Sequence, residues 1–349
     1  MEAVERTDVA VTSRGAVGAH GRELLRSFLR DRSATSDEQW RRWCADLVRG
    51  ARLRDDDLLD WWTGINEFDQ VLAQHVAEPV TVPDTTVVVA GSGKEQFRTF
   101  NISTAAAILA ASAGTPVVKG ISRSVSAVSG AADILEVLGV TPVTHPGAVQ
   151  HALQRYNIAF VGYPVFCPRY AGRYDGIFDS INPASFFMPV AALCVRASGF
   201  VLGLAHTGVM LSAKVLRTIR PDIATGVVVS TELSRGESVD ELSDVGTVRL
   251  ARVSAGTVYA STHTYPRPTK RWRRSVAHQR THRGNAALVA DALAAHGDSP
   301  CTRIVELNAS RIVSTTAAGV RPGEAIDRVR HARRSGRALR LLTAMSGSR

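Results

Sequence analysis

Gly91, Ser92 and Gly93 follow the apolar run Thr86–Ala90, and Asn101, Ser103 and Thr104 stand a few residues beyond, at the head of an alanine-rich stretch. A strand that runs into a glycine turn and then into a helix headed by Asn, Ser and Thr is an arrangement that binds phosphate. The glycines let the backbone approach a diphosphate, and free N–H groups at the helix start point at the anion. Glu95 and Thr99 belong to the same loop, and Lys119, Arg123, Ser124, Ser126 and Ser129 follow as further donors. These residue types in this order point to a strongly anionic, phosphorylated substrate handled together with a metal ion.

The elements that must position these groups are legible in the spacing of apolar residues. Arg22–Asp31, Asp37–Leu47 and Leu58–Ala77 have helical periodicity, with Ser36 or Asp37 as an N-cap. Trp40, Trp43, Trp61 and Trp62 read as helix-packing residues. From Thr85 the pattern changes to a strand at Thr86–Ala90, a helix reaching about Ser112, a strand at Pro116–Lys119 and a helix at Ser129–Leu138. Further strands are expected at Phe200–Ala205 and Gly226–Ser230 around a helix at Val209–Ile219. An antiparallel pair follows at Val248–Val253 and Thr257–Ser261, and helices dominate from Asn285 onward. Strands alternating with helices imply an α/β sheet.

The 349-residue chain has a hydrophobic fraction of 45% and no apolar run long enough for a bilayer span, so no membrane partner is expected. Cys44, Cys167, Cys194 and Cys301 are widely spaced, which favours reduced thiols and a cytoplasmic setting. Residues 1–19 read as a flexible leader. The net charge of +10 suits an anionic small substrate and suits nucleic acid too. Much of it lies in Arg267–Arg283, read as an exposed loop around Trp272, and in Arg328–Arg340, read as a solvated helix face.

The segment from Gly91 to Gly139 resembles the anthranilate phosphoribosyltransferase family nearly continuously. That family carries GTGGD, TFNIST and a KHGNR–S–V–S–S–x–SG run; here stand GSGKE at Gly91–Glu95, TFNIST at Thr99–Thr104, KGISR at Lys119–Arg123 and SVSAVSGAADILEVLG at Ser124–Gly139. VDELS at Val239–Ser243 is similar to the family's acidic metal-binding pair, and NAAL at Asn285–Leu288 and ELNAS at Glu306–Ser310 fit its C-terminal helices. The resemblance runs from about residue 20 to 346, and is weak over 141–200 and 255–283. It implies an α/β fold of the nucleoside phosphorylase/phosphoribosyltransferase type. A small helical N-terminal domain (20–84, joined by helices from about 146–185) would precede a large α/β domain (85–349) with a central sheet flanked by helices. It also implies a homodimer, Mg2+ held by Ser103, Asp240 and Glu241, and phosphoribosyl pyrophosphate (PRPP) as the donor.

Departures from the family pattern gather on the acceptor side. The loop's fourth residue, a glycine in the family, is Lys94, which adds a cation beside the phosphates, and its aspartate is Glu95. The family's His-Gly-Asn facing the aromatic acceptor is Gly120-Ile121-Ser122. The arginine that grips the anthranilate carboxylate falls on Asp175, with Arg173 two residues earlier as a substitute; INPAS at Ile181–Ser185 is a displaced relic of the GPL–x–NP loop. His206 reads as structural. The expectation is a magnesium-dependent phosphoribosyltransferase whose small aromatic or heteroaromatic acceptor differs from anthranilate, with specialised metabolism as a setting. The alternatives are anthranilate phosphoribosyltransferase itself and a non-catalytic, nucleic-acid-binding relative. A pyrimidine nucleoside phosphorylase lacks its own phosphate motif here.

Overall fold

Val87, Val88 and Val89 are apolar at successive positions, so the strand they form must be covered on both faces. In the computed structural model, which describes residues 14–50, 52–123, 128–316 and 319–347, it is. The chain opens with four helices, α1 (Arg14–Arg30), α2 (Ala34–Arg49), α3 (Asp55–Phe68) and α4 (Gln70–Ala77). The α/β part begins with β1 (Val87–Gly91), α5 (Ile102–Ser112), β2 (Val117–Ile121), α6 (Ala131–Val137), α7 (Ala148–Tyr156) and β3 (Ile158–Gly162). Next come α8 (Pro168–Tyr174), α9 (Met188–Ala191), β4 (Gly199–Gly203), α10 (Val209–Ile219), β5 (Thr225–Ser234), β6 (Glu237–Val239), β7 (Thr247–Ser254) and β8 (Thr257–Thr264). Helices α11 (Lys270–Val276), α12 (His282–Leu293), α13 (Pro300–Ser314), α14 (Pro322–Arg334) and α15 (Arg337–Ser346) complete the described chain.

The sheet runs β3-β2-β1-β4-β5-β7-β8, with β6 paired to β5. The first five strands in that order are parallel, and β7 and β8 are antiparallel additions. Alternate side chains feed two cores. Val88, Ala90, Val118 and Leu202 face a cluster with Trp40, Trp61 and the N-terminal helices, whereas Val87, Val89, Val117 and Val201 face α5 and the C-terminal helices. Trp40 stacks on Trp61, Trp43 and Phe28 at centroid distances of 4.7, 5.2 and 4.8 Å. Helix α8 packs against α3 and α4, while α7 lies along β3 and β2.

Several expectations need correction. Helix α1 takes in residues 14–19 of the expected leader, whose first thirteen residues lie outside the described ones. The N-cap of α2 is Ser33, whose hydroxyl accepts the Ser36 N–H at 3.2 Å. The single helix expected at Leu58–Ala77 breaks at Asp69, a buried carboxylate that caps α4 through Leu72 and reaches the Tyr170 N–H at 2.8 Å. Strand β3 was not among the expected strands. Arg267–Arg283 is not a loop. It holds α11, with Trp272 buried and its indole N–H donating to Asp244, and the start of α12. Arg333, in the expected solvated face, is buried and paired with Glu306 at 2.7 Å. His206 is structural, accepting the Gly208 N–H at 3.0 Å. Among the described residues no helix is long and apolar enough to cross a membrane.

Candidate functional site

Two parallel neighbours end side by side, β1 at Gly91 and β4 at Gly203, which are register partners. The loop leaving β1 is tied across this end of the sheet. The Ser92 N–H donates to the Gly203 carbonyl at 2.8 Å, and the Ser92 hydroxyl accepts the Ala205 N–H at 2.9 Å. Asp240, just after β6, closes the loop from the other side, its Oδ2 accepting the Gly93 N–H at 3.0 Å. A Cβ on Gly91 would lie 2.7 Å from that carboxylate oxygen, and one on Gly203 would lie 1.9 Å from the Asp240 carbonyl. Gly93 has φ +57°. The glycines are there because the backbone of two strands and a carboxylate converge on one point. Clefts at the carboxyl ends of parallel strands are where α/β sheets bind ligands.

The buried charge around that point is acidic with one cation. Burial pushes the carboxyls of Asp240 and Glu241 up, Glu241 far above its ordinary range because the Asp240 charge adds to burial there, while the hydrogen bond from Glu241 opposes the rise at Asp240. Glu95 is pushed up to about 7, by burial first and by the Asp240 charge second. Lys119, also buried, is pushed down to about 8 by desolvation, with Asp240 and Glu241 pulling the other way. Its ammonium donates to the Gly120 carbonyl at 2.6 Å. Glu241 Oε1 accepts the Thr99 hydroxyl at 3.4 Å, but its Oε2 is buried without a partner, as are Asn101 Oδ1 and Thr104 Oγ1. An unpaired buried polar atom costs about 1–3 kcal/mol, so three of them together mark a place built for something else. Asn101 stands at the N-cap of α5 yet its side chain makes no capping bond. Ser103 is half-buried in the first turn of that helix.

These residues fit a magnesium ion. A divalent cation would partner the orphaned Glu241 oxygen and offset the Asp240 charge that bears on it, and magnesium takes one or two carboxylates plus phosphate oxygens and water. Among the described residues no three His, Cys, Asp or Glu side chains form a self-contained cage. An ion here would therefore complete its shell with substrate.

A second network, absent from the sequence reading, fixes the loop's far end. The Phe100 N–H donates to the Val276 carbonyl at 3.0 Å, and the His278 N–H to the Arg98 carbonyl at 3.0 Å. His278 Nδ1 lies 3.1 Å from the Thr99 carbonyl, while Nε2 faces the Ser129 N–H at 3.2 Å and the Asn285 amide at 3.1 Å. Two donors at Nε2 fix the tautomer with the proton on Nδ1. Burial holds the His278 pKa below its ordinary value, with the Thr99 carbonyl pulling the other way. Ser129 Oγ also meets His282 at 2.7 Å. The NAAL match singled out Asn285, but nothing in it linked that residue to Ser129 across the fold.

The remaining expected site residues divide. Arg123 points to the surface, where it pairs with Asp133 and Glu136 at 3.3 and 3.5 Å, rather than into the site. Ser124 and Ser126 lie outside the described residues. A Cβ on Gly120 would sit 3.0 Å from a Leu193 methyl, so the fit there is tight; Ile121 is buried and Ser122 is exposed. Arg173 is not available to an acceptor. It is 3% exposed, stacks on Phe28, and spends its guanidinium on the Phe28 and Asp31 carbonyls and on Asp37. Asp175 caps the end of α8 and is exposed, though the atoms packed around its carboxyl push its pKa up. Lys94 reaches from the glycine loop to the Tyr174 hydroxyl at 2.9 Å.

Residues 84–339 match the model of the glycosyl transferase family, a/b domain. The chain belongs to that glycosyl transferase family. The resemblance carried by Gly91–Gly139 is borne out by curated relatives. The anthranilate phosphoribosyltransferase of Methanosarcina acetivorans is 31% identical over 194 residues, 55% of this chain and 50% of the relative. That of Mycolicibacterium paratuberculosis is 33% identical over 179 residues, 51% of this chain and 47% of the relative. The chain thus spans about half the length of the curated relatives it matches. Solved structures share the fold. Anthranilate phosphoribosyltransferase from Thermus thermophilus superposes with a TM-score of 0.70 at 21% identity, covering 94% of both chains. The Saccharomyces cerevisiae enzyme in complex with PRPP and Mg does so with 0.71 at 16% identity, covering 95% of this chain and 94% of that one.

Proposed function

We propose that this family member is a magnesium-dependent phosphoribosyltransferase that takes PRPP as donor and an aromatic amine as acceptor, releasing pyrophosphate. The observation that carries it is the closure of the glycine loop on Asp240, beside the unpaired oxygens of Glu241, Asn101 and Thr104 at the head of α5. Displacing pyrophosphate from an anomeric carbon demands that a leaving diphosphate be neutralised and that two substrates be held in line. Backbone at Gly91–Gly93 and the start of α5 receive the diphosphate. Asp240 and Glu241 would hold magnesium, which supplies positive charge to the leaving group. Lys119 sets the charge balance of that acid pair from behind.

Anthranilate is the acceptor this reading favours, because the curated relatives are anthranilate phosphoribosyltransferases. A different aromatic acceptor is the second reading, favoured by Asp175 and Gly120, which stand where the family pattern has an arginine and a histidine. A homodimer and a cytoplasmic location accompany both; the four free cysteines support the latter. The test is pyrophosphate release from PRPP and magnesium with anthranilate and a panel of aromatic acids and amines. Release with anthranilate supports the first reading, and release only with another acceptor supports the second. No release with any acceptor, and no PRPP-induced rise in melting temperature, sinks both.

A further inference from the structure

Lys94 stands where the glycine loop makes its turn, with φ 65°, a conformation that a side chain makes costly. Its ammonium does not turn toward the acids of the site. It crosses to α8, donating to the Tyr174 hydroxyl at 2.9 Å and lying 5.2 Å above the Tyr174 ring and 5.9 Å from the Phe178 ring. Tyr174 Oη also accepts the Asn182 amide at 2.7 Å. A phenol has two acceptor lone pairs and one proton, so both lone pairs are taken and the O–H is left to donate. Among the described residues nothing accepts it, and Lys94 makes no ion pair within 4.0 Å. Asp175 is next in sequence to Tyr174; burial raises its pKa and the Lys94 charge opposes that rise, so the ammonium's field reaches it without pairing.

A half-buried ammonium with spare N–H groups, a phenol with an unused proton, and the stacked rings of Tyr170, Tyr174 and Phe178 thus converge between the donor loop and the helical layer. We propose that Lys94 and Tyr174 form a carboxylate subsite for the aromatic acceptor. They take the place of the arginine that Asp175 has removed and that Arg173 cannot supply. The proposal rests on the phosphoribosyltransferase reading for its purpose, but not for its test. Asn182, from INPAS, is a positioning residue that holds the phenol with its proton outward.

The experiment is calorimetric binding of 2-aminobenzoate, benzoate and aniline to the full chain and to Lys94→Gly, Lys94→Met and Tyr174→Phe, beside PRPP binding to each. Lys94→Gly relieves the turn and Lys94→Met keeps the length, so a fold artefact in one is exposed by the other. Both should weaken 2-aminobenzoate and benzoate by at least about tenfold, leave aniline unchanged and leave PRPP within about twofold. Tyr174→Phe should weaken the carboxylates to a smaller degree. Unchanged carboxylate affinity in both Lys94 variants overturns the subsite, as does failure of the unaltered chain to bind any benzoate. A larger loss for PRPP than for the carboxylates assigns the ammonium to the diphosphate and overturns it too. If the unaltered chain binds 2-aminobenzoate through Lys94 yet releases no pyrophosphate, the proposed reaction fails and the subsite stands.

Discussion

The Asp240 carboxylate accepts the backbone N–H of Gly93 at 3.0 Å, joining two segments 147 residues apart. The same carboxylate that would face a cation therefore also shapes the loop that would face a diphosphate. Loop geometry and metal charge are coupled through one side chain.

That coupling separates two variants. Asp240→Asn keeps an oxygen for the Gly93 N–H and removes the charge, so circular dichroism and melting temperature should hold while turnover falls by about 100-fold or more. Asp240→Ala removes both, and should in addition weaken PRPP binding measured without metal. Equal metal-free PRPP affinity in the two variants would show that the loop does not depend on this bond.

Glu95 gives a pH signature. Its folded pKa of about 7 lies above the unfolded value of 4.5, so the native state binds more protons between those limits. Stability contributed by that protonation is present at low pH and is lost as pH rises from about 4.5 through about 7. In metal-free buffer, melting temperature should decline over that window more steeply in the unaltered chain than in Glu95→Gln. Parallel curves would place the titration elsewhere.

Arg173 should prove to be a folding residue. It is buried against Asp37 and two carbonyls, and removing one partner of a buried pair costs about 3–5 kcal/mol. Urea unfolding of Arg173→Met should show a loss of that order, with carboxylate-acceptor affinity unchanged in the fraction that remains folded. A specific loss of acceptor binding at full stability would return Arg173 to the pocket.

The His278–Ser129–Asn285 network should act on the donor side. Asn285→Ala removes one of the two donors at His278 Nε2 and one at Ser129 Oγ, and should cost about 1–3 kcal/mol in urea unfolding. PRPP affinity should fall by about tenfold, because Thr99 and the head of α5 are tied to the same imidazole. Loss of stability without loss of affinity would reduce the network to packing.

The sequence by itself determined the alternation of strands and helices, the glycine loop and the polar head of α5, and its resemblance to the anthranilate phosphoribosyltransferase family singled out the acidic pair. These depend on residues close in the chain, where apolar period and turn chemistry act locally. Helix Val209–Ile219 and the β7–β8 pair were legible for that reason; β3, as short as β1, was not expected, and its place in the sheet comes from its pairing with β2. Only the tertiary structure decided which partner each charged residue takes. Arg123 and Arg173 are spent on α6 and on the N-terminal helices, while Lys94, from within the loop, takes up Tyr174. Asp240, Glu241, Thr99 and Lys119 meet only once β1, β2 and the β6 turn lie at one end of a sheet. A charge's role depends on the partners and the water left around it, and burial of those partners is a property of the packed chain and not of any segment of it.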